Sequence, residues 1–403
     1  MKKIILSAAS LAVAAVASVS VAPTTSEAVP AFARQTGAAC LNCHFGAIPR
    51  LAQMGREFRM NAFRDLSGDA IEDEHLSLPL AFNASLLMKA RIGMGSGDSE
   101  KGGAVGGADT SIQWPDESAL LFGGRIGEHA GGFQEWDVIS GEMLGGKFAY
   151  VNDMDNGILA FAIGTSDALG APSIFNDPSN AISRNTRGIQ SRSMAMKGTL
   201  MHGAASGLGV YGYLNDSIYF AVGGLIPAGG YAAGNSGPEL NLGSYVRVAW
   251  LGTLADFDAI IGAWNATAVE INPKAAAAAA GAAYVAQKDD KQGGVDIQLQ
   301  GEVGGHQLGI YMPIVMGGST SSGDATGFQL YANYNLAHAY GVQLGYDSLT
   351  SDAKDANAVI LGGWYDLAQN IAINVEMKNW TNTPKVGAET SGTDTTIELE
   401  YVY

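Results

Sequence analysis

The stretch Ile397-Glu398-Leu399-Glu400-Tyr401-Val402-Tyr403 decides the fold. Side chains alternate across an extended chain, so Ile397, Leu399, Tyr401 and Tyr403 share one face and Glu398 and Glu400 share the other. The same rhythm recurs upstream. Ile371, Ile373, Val375 and Met377 oppose Asn374, Glu376 and Lys378. Phe328, Leu330, Ala332 and Tyr334 oppose Gln329, Asn333 and Asn335, and Val295, Ile297 and Leu299 oppose Asp296, Gln298, Gln300 and Glu302. The first strand sets Phe82, Ala84, Leu86 and Met88 against Asn83, Ser85, Lys89 and Arg91.

Alternation alone fits a soluble sandwich as well as a membrane barrel. The connections favour the barrel. Short ones fall near 153–157, 214–217, 252–255, 303–306, 335–339 and 366–369. Long ones fall near 94–116, 166–192, 226–240, 266–294 and 380–394. Short turns on one side and long loops on the other are the outer-membrane pattern. The aromatics Tyr245, Trp250, Trp264, Tyr334, Tyr346, Trp364 and Trp380 lie near strand ends, where interfacial girdles sit. The fold expected is mainly β: an antiparallel transmembrane barrel of about 16 strands over residues 79–403. Its lumen face would carry Lys89, Arg91, Arg125 and Arg247 beside Asp296, Glu302, Glu376, Glu398 and Glu400.

The N-terminal residues point to export. Lys2 and Lys3 precede an apolar run from Ile4 to Val21, and Ser26-Glu27-Ala28 offers small residues for cleavage, so residues 1–28 read as a signal peptide. No later apolar run is long enough for a membrane helix. With 23 Lys+Arg against 39 Asp+Glu the chain is acidic, which argues against nucleic acid as a partner.

Residues 29–78 carry the chemistry. The chain has two cysteines, in Cys40-Leu41-Asn42-Cys43-His44, the pattern of c-type haem attachment. Two thiols one helical turn apart can add to the two vinyl groups of one porphyrin, which places His44 beneath the iron as proximal ligand. The cofactor expected is one covalent haem c on Cys40, Cys43 and His44. Pro49 suits the first turn of a following helix, in which Ile48, Leu51, Gly55, Phe58 and Ala62 form one face and Met60 points the opposite way. Arg56, Arg59 and Arg64 lie on its other side, as a solvated face or as partners for haem propionates. His129 and Met54 are the candidates for the distal iron ligand, His129 because it shares strand parity with Arg125; His75 is a further local candidate. His202, His306 and His338 fall near strand ends or turns. So short a segment rarely buries enough apolar surface to stand alone, so another part of the chain is expected to complete the haem pocket.

Val29-Pro30-Ala31-Phe32-Ala33-Arg34-Gln35-Thr36-Gly37, then Cys40-Leu41-Asn42-Cys43-His44-Phe45, then Pro49 and Gly55-Arg56-Glu57-Phe58, then the barrel: this resembles the fused cytochrome–porin family of outer-membrane iron oxidases. Gly123-Gly124-Arg125-Ile126-Gly127-Glu128-His129 adds to the likeness. Gly46 and Ala47 stand where that family often has Gln or a second His, and Met54 where it often has Phe. The resemblance implies a haem-bearing plug inside a barrel in the outer membrane. It would oxidise extracellular Fe(II) and pass electrons to a periplasmic c-type cytochrome. The alternatives are a conduit for another donor or acceptor, and a porin whose haem segment is a gate or sensor. The loop acids Asp98, Glu100, Asp289, Asp290, Asp352 and Asp355 are hard oxygen donors suited to weak Fe(II) docking.

Overall fold

The computed structural model describes residues 30–46, 49–73, 76–80, 82–98, 110–141, 143–166, 170–182, 205–227, 243–267, 291–319, 323–337, 339–368 and 370–403. Residues 1–28, the run 275–280, and His75, His202 and His338 lie outside them. Three short helices lead: α1 (Pro30–Thr36), α2 (Cys40–Cys43) and α3 (Gln53–Met60). A small antiparallel hairpin follows, β1 (Ala70–Asp73) with β2 (Leu76–Pro79).

The wall then runs through β3 (Ala84–Gly97), β4 (Thr110–Gly127), β5 (Ala130–Asp137), β6 (Met143–Met154), β7 (Gly157–Ser166), β8 (Ala205–Leu214), β9 (Ile218–Pro227) and β10 (Gly243–Leu254). It continues through β11 (Phe257–Thr267), β12 (Lys291–Val303), β13 (His306–Ser319), β14 (Gly323–Ala337), β15 (Tyr340–Ser351), β16 (Lys354–Ala368), β17 (Ile371–Pro384) and β18 (Thr390–Val402). Helix α4 (Gly170–Ile174) lies between β7 and β8. Each wall strand pairs with its sequence neighbours, and β18 returns to β3, which closes a barrel of 16 antiparallel strands. Closure is tied by reciprocal bonds of 2.8 Å between the backbones of Leu86 and Tyr403. A closed barrel leaves no unpaired edge, which is what lets strands sit in lipid.

Polarity is inside out. On β10, Val246, Val248 and Trp250 face outward and are exposed, while Tyr245, Arg247 and Ala249 face inward and are buried. On β12, Val295 is exposed while Asp296, Gln298 and Gln300 are buried, and on β18 Thr396, Glu398 and Glu400 are buried. An outward apolar band with an inward polar face is the arrangement a bilayer demands. Several inward charges are paired: Lys89 with Glu117 and Glu400, Arg91 with Asp116 and Glu398, and Arg247 with Asp177 and Asp296. Glu302, beside the turn at Gly304, is exposed instead.

Three aromatics expected at the interface point into the lumen. Tyr245 stacks on Phe175 at 5.2 Å, and Trp264 and Trp364 are buried. Strand parity explains this: Tyr245 lies on the face of Arg247, and Trp264 is opposite Arg247 in the β10–β11 register. The loop expected near 380–394 is shorter, because β17 runs to Pro384 and β18 begins at Thr390.

The stretch from α4 to Ile182 folds into the lumen and is buried throughout. Tyr219 Oη donates to Phe175 O at 2.7 Å, and Asn180 N donates to Gln298 Oε1 at 2.8 Å. Arg247 binds both Asp177 and Asp296 with all three side chains fully buried, so the guanidinium has two carboxylate partners away from water.

Lipid on one side of the wall and peptide on the other give neighbouring residues opposite tolerances. Val248→Arg is expected to lower folding stability in bilayers by roughly 2–4 kcal/mol, whereas Val248→Leu leaves it unchanged. Denaturant titration of vesicle-inserted protein measures both; an arginine without cost at position 248 would contradict the assignment of that face to lipid.

Candidate functional site

The described residues between 30 and 64 sit inside the barrel as a plug, bonded to the wall on many sides. Ala31 N donates to Ser85 Oγ at 3.0 Å, and Arg34 Nη2 donates to Ala84 O at 2.5 Å. Arg50 Nη2 reaches Gln343 Oε1 at 3.4 Å, and its guanidinium lies 5.0 Å from the Trp364 ring and 6.0 Å from that of Tyr331. Arg56 pairs with Asp258 and donates to Gln300 Oε1 at 2.6 Å. Arg64 pairs with Asp153 and donates to Glu128 O at 3.0 Å. Tyr211 Oη donates to Met60 O at 2.8 Å. Asp153, Asp258 and Glu128 flank short turns, so the plug occupies the short-turn end.

Helix α3 keeps a narrow exposed side at Gln53, Met54 and Glu57, and the rest of it is buried. Phe58 and Ala62 are buried as the periodicity requires, but so are Arg56, Arg59 and Met60. The helix starts at Gln53 rather than at Pro49. Glycine permits the closest approaches. A Cβ on Gly131 of the wall would stand 1.8 Å from Ala62 O, and one on Gly55 would stand 2.1 Å from Cys43 O.

That packing builds a cavity. Cys40, Cys43 and His44 line it together with Pro49, Leu51, Phe58, Arg59 and Phe63 of the plug, Phe133 and Lys147 of the wall, and Ser173 of α4. The two cysteines occupy one helical turn and are not bonded to each other. His44 is fixed by a local ladder: Phe45 N donates to Arg50 O at 3.0 Å, and Ala52 N donates to Cys43 O at 2.9 Å. His44 Nδ1 lies 3.1 Å from Arg50 O, so with its proton on Nδ1 the ring leaves Nε2 free as a ligand. Burial lowers the His44 pKa to about 4 despite that carbonyl, which keeps the imidazole neutral near pH 7. Burial, and then the neighbouring Cys40, raise the pKa of the Cys43 thiol. Phe32 stacks on Phe63 at 5.1 Å, with Phe58 edge-on to both and Phe133 at 6.1 Å from each of Phe32 and Phe63. Paired thiols, a neutral imidazole with a free nitrogen, and aromatic walls make a donor set that fits a covalently attached haem.

Three solved outer-membrane proteins share the architecture. The DcaP channel of Acinetobacter baumannii matches with a TM-score of 0.55 at 11% identity, covering 84% of this chain and 100% of that one. OmpT of Vibrio cholerae matches at 0.50 and 11%, covering 83% and 100%. An anion-selective porin from Comamonas acidovorans also matches at 0.50 and 11%, covering 79% and 98%. The fold is that of an outer-membrane porin. No family model matches the chain, and no curated protein matches it in sequence.

The porin-type barrel does not bring either distal-ligand candidate to this cavity. His129 sits on the turn between β4 and β5, half exposed, with Nδ1 3.8 Å from Asp153. A register shift between Arg125 and Gly127 breaks the parity that would have aimed His129 inward. Met54 is exposed on α3 and is not part of the lining. Among the described residues, no three His, Cys, Asp or Glu side chains converge as a metal site. Of the loop acids, Glu100, Asp289 and Asp290 lie outside the described residues, and Asp355 pairs with Lys385. Lys147 and Ser173 are not legible as lining residues in the sequence, since only the strand register and the inward fold of α4 carry them to the plug.

Gly55→Ala forces α3 off the Cys40–Cys43 turn and is expected to destabilise the docked plug by about 1–3 kcal/mol. Limited proteolysis should cut the plug of this variant faster while the barrel keeps its heat-dependent gel mobility. A plug as resistant as the wild type would contradict the packing.

Proposed function

We propose that this porin-type protein carries one c-type haem on Cys40 and Cys43, with His44 as axial ligand, and oxidises extracellular Fe(II). Its electrons go on to a periplasmic c-type cytochrome. The observation that supports this reading is the convergence of Cys40, Cys43 and His44 on one lumenal cavity, with His44 Nδ1 turned to the Arg50 carbonyl.

A bound haem supplies a one-electron couple, matched to the one-electron Fe(II)/Fe(III) change and unsuited to obligate two-electron chemistry. The chain's own residues supply position and insulation. The Arg50 carbonyl orients the His44 ring, and Arg50 is itself held between Trp364, Tyr331 and Gln343. The wall keeps lipid away from the cavity. Asn180 of the inward-folded stretch exchanges hydrogen bonds with Leu51, Nδ2 to Leu51 O at 2.9 Å and Leu51 N to Oδ1 at 3.0 Å, so this stretch is tied to the cavity lining. The reaction needs no general base or nucleophile. Burial and axial ligation set the potential, and with it the direction of electron flow.

Two measurements test the reading. Haem staining on a denaturing gel should follow the wild-type chain and vanish in the Cys40→Ser, Cys43→Ser double variant; persistence of the stain there would remove the attachment site. Stopped-flow mixing of the oxidised protein with Fe(II) near neutral pH should produce reduced haem bands. Haem that stays oxidised under Fe(II) yet accepts electrons from another donor would leave a conduit but end the iron-oxidase reading.

A further inference from the structure

Two cations line the cavity beside Cys40, Cys43 and His44, and both lack an ion pair among the described residues. Arg59 comes from α3 and Lys147 from wall strand β6. Lys147 Nζ donates to Ser173 O at 2.8 Å and lies 4.8 Å from the centre of the Phe63 ring. Arg59 is 7% exposed. Asp177, whose charge acts on Arg59, is hydrogen-bonded to Arg247. The other plug arginines are engaged differently: Arg34 by the carbonyls of Phe82 and Ala84, Arg50 by Gln343 and two aromatic rings, Arg56 by Asp258, and Arg64 by Asp153.

Burying a charge away from water is costly unless an opposite charge compensates it. Arg59 and Lys147 are also near enough to repel each other. Two cations with no ion pair of their own in one aromatic-lined cavity suit a ligand that is largely apolar and bears two negative groups. Haem has that composition: a flat apolar macrocycle with two propionate carboxylates on the edge away from its vinyl groups.

We propose that Arg59 and Lys147 form the binding site for the two propionates of the haem attached at Cys40 and Cys43. The wall as well as the plug then holds the cofactor. This rests on the haem reading above, and goes beyond it in assigning a barrel residue to the haem site. A positive charge beside the propionates favours the reduced haem, because the oxidised form carries one more positive charge. Removing either cation should therefore lower the potential.

Spectroelectrochemical titration of the full-length protein in detergent tests this. Lys147→Met and Arg59→Gln should each keep covalent haem and heat-dependent barrel mobility. Each should lower the reduced-to-oxidised ratio at a fixed poise by about tenfold, a shift of ~59 mV for a one-electron couple. Lys147→Arg should restore the wild-type value. Lys89→Met removes a lumen cation already paired with Glu117 and Glu400 and should leave the potential in place. Haem retained at an unchanged potential in both cavity variants would overturn the propionate site and leave the haem reading standing. An equal fall in Lys89→Met would overturn it too, as would a Lys147→Arg potential no different from that of Lys147→Met. Absence of covalent haem from the wild-type chain would end both readings.

Discussion

A barrel that presents its apolar face to lipid must turn its polar face inward, and the plug is what satisfies that face at the short-turn end. Three plug arginines do most of this. Arg56 reaches Asp258, Gln300 and the Leu51 carbonyl; Arg64 reaches Asp153 and the Glu128 carbonyl; Arg50 lies against Trp364, Tyr331 and Gln343. Burying a guanidinium is costly unless it finds partners, so these contacts together favour one depth and rotation of the plug. A segment this short could not build such an environment by itself. The wall supplies the surface the plug lacks, and the plug supplies counter-charges the wall needs.

The cavity follows from that docking. With α3 held against the wall by Arg56 and by the Tyr211 bond to Met60, Gly55 brings the helix onto the Cys40–Cys43 turn. Phe32, Phe58 and Phe63 then gather beside wall residue Phe133. On the other side, the stretch after α4 closes down on Leu51 through Asn180. Chain segments far apart in sequence thus meet around His44 and the two thiols. On the proposed reading, potential and access at this centre are properties of the barrel as much as of the plug.

Much of the barrel was legible in the sequence because lipid imposes a strict rule on every second residue. Glu398 and Glu400 on β18 and Asp296, Gln298 and Gln300 on β12 face inward as their alternation requires. The short turns at 155–156, 215–217 and 304–305 fall where the connections were expected. What alternation could not give is which inward residues meet one another across the lumen. The stretch from Gly170 to Ile182 has no period, and its inward fold rests on distant partners such as Arg247 and Gln298. Tyr245, Trp264 and Trp364 look like girdle residues by position and are lumenal by parity. The solvated-face alternative for Arg56, Arg59 and Arg64 does not hold, and Met60 is buried too, because the wall covers the side of α3 that the sequence would leave to water. His129 was misplaced by a single register shift that no local signal marks.

A plug that lies within the barrel and, on the proposed reading, carries a haem on its Cys40–Cys43 turn makes two demands on proteolysis. Tryptic mapping by mass spectrometry tests both on the unaltered protein. In the folded state, cleavage after the buried Arg50, Arg56, Arg59 and Arg64 should be blocked. After unfolding, the peptide Gln35–Arg50 should be released with the added mass of one haem. The same peptide at its plain mass, or released from the folded barrel as readily as from the unfolded chain, would contradict the account.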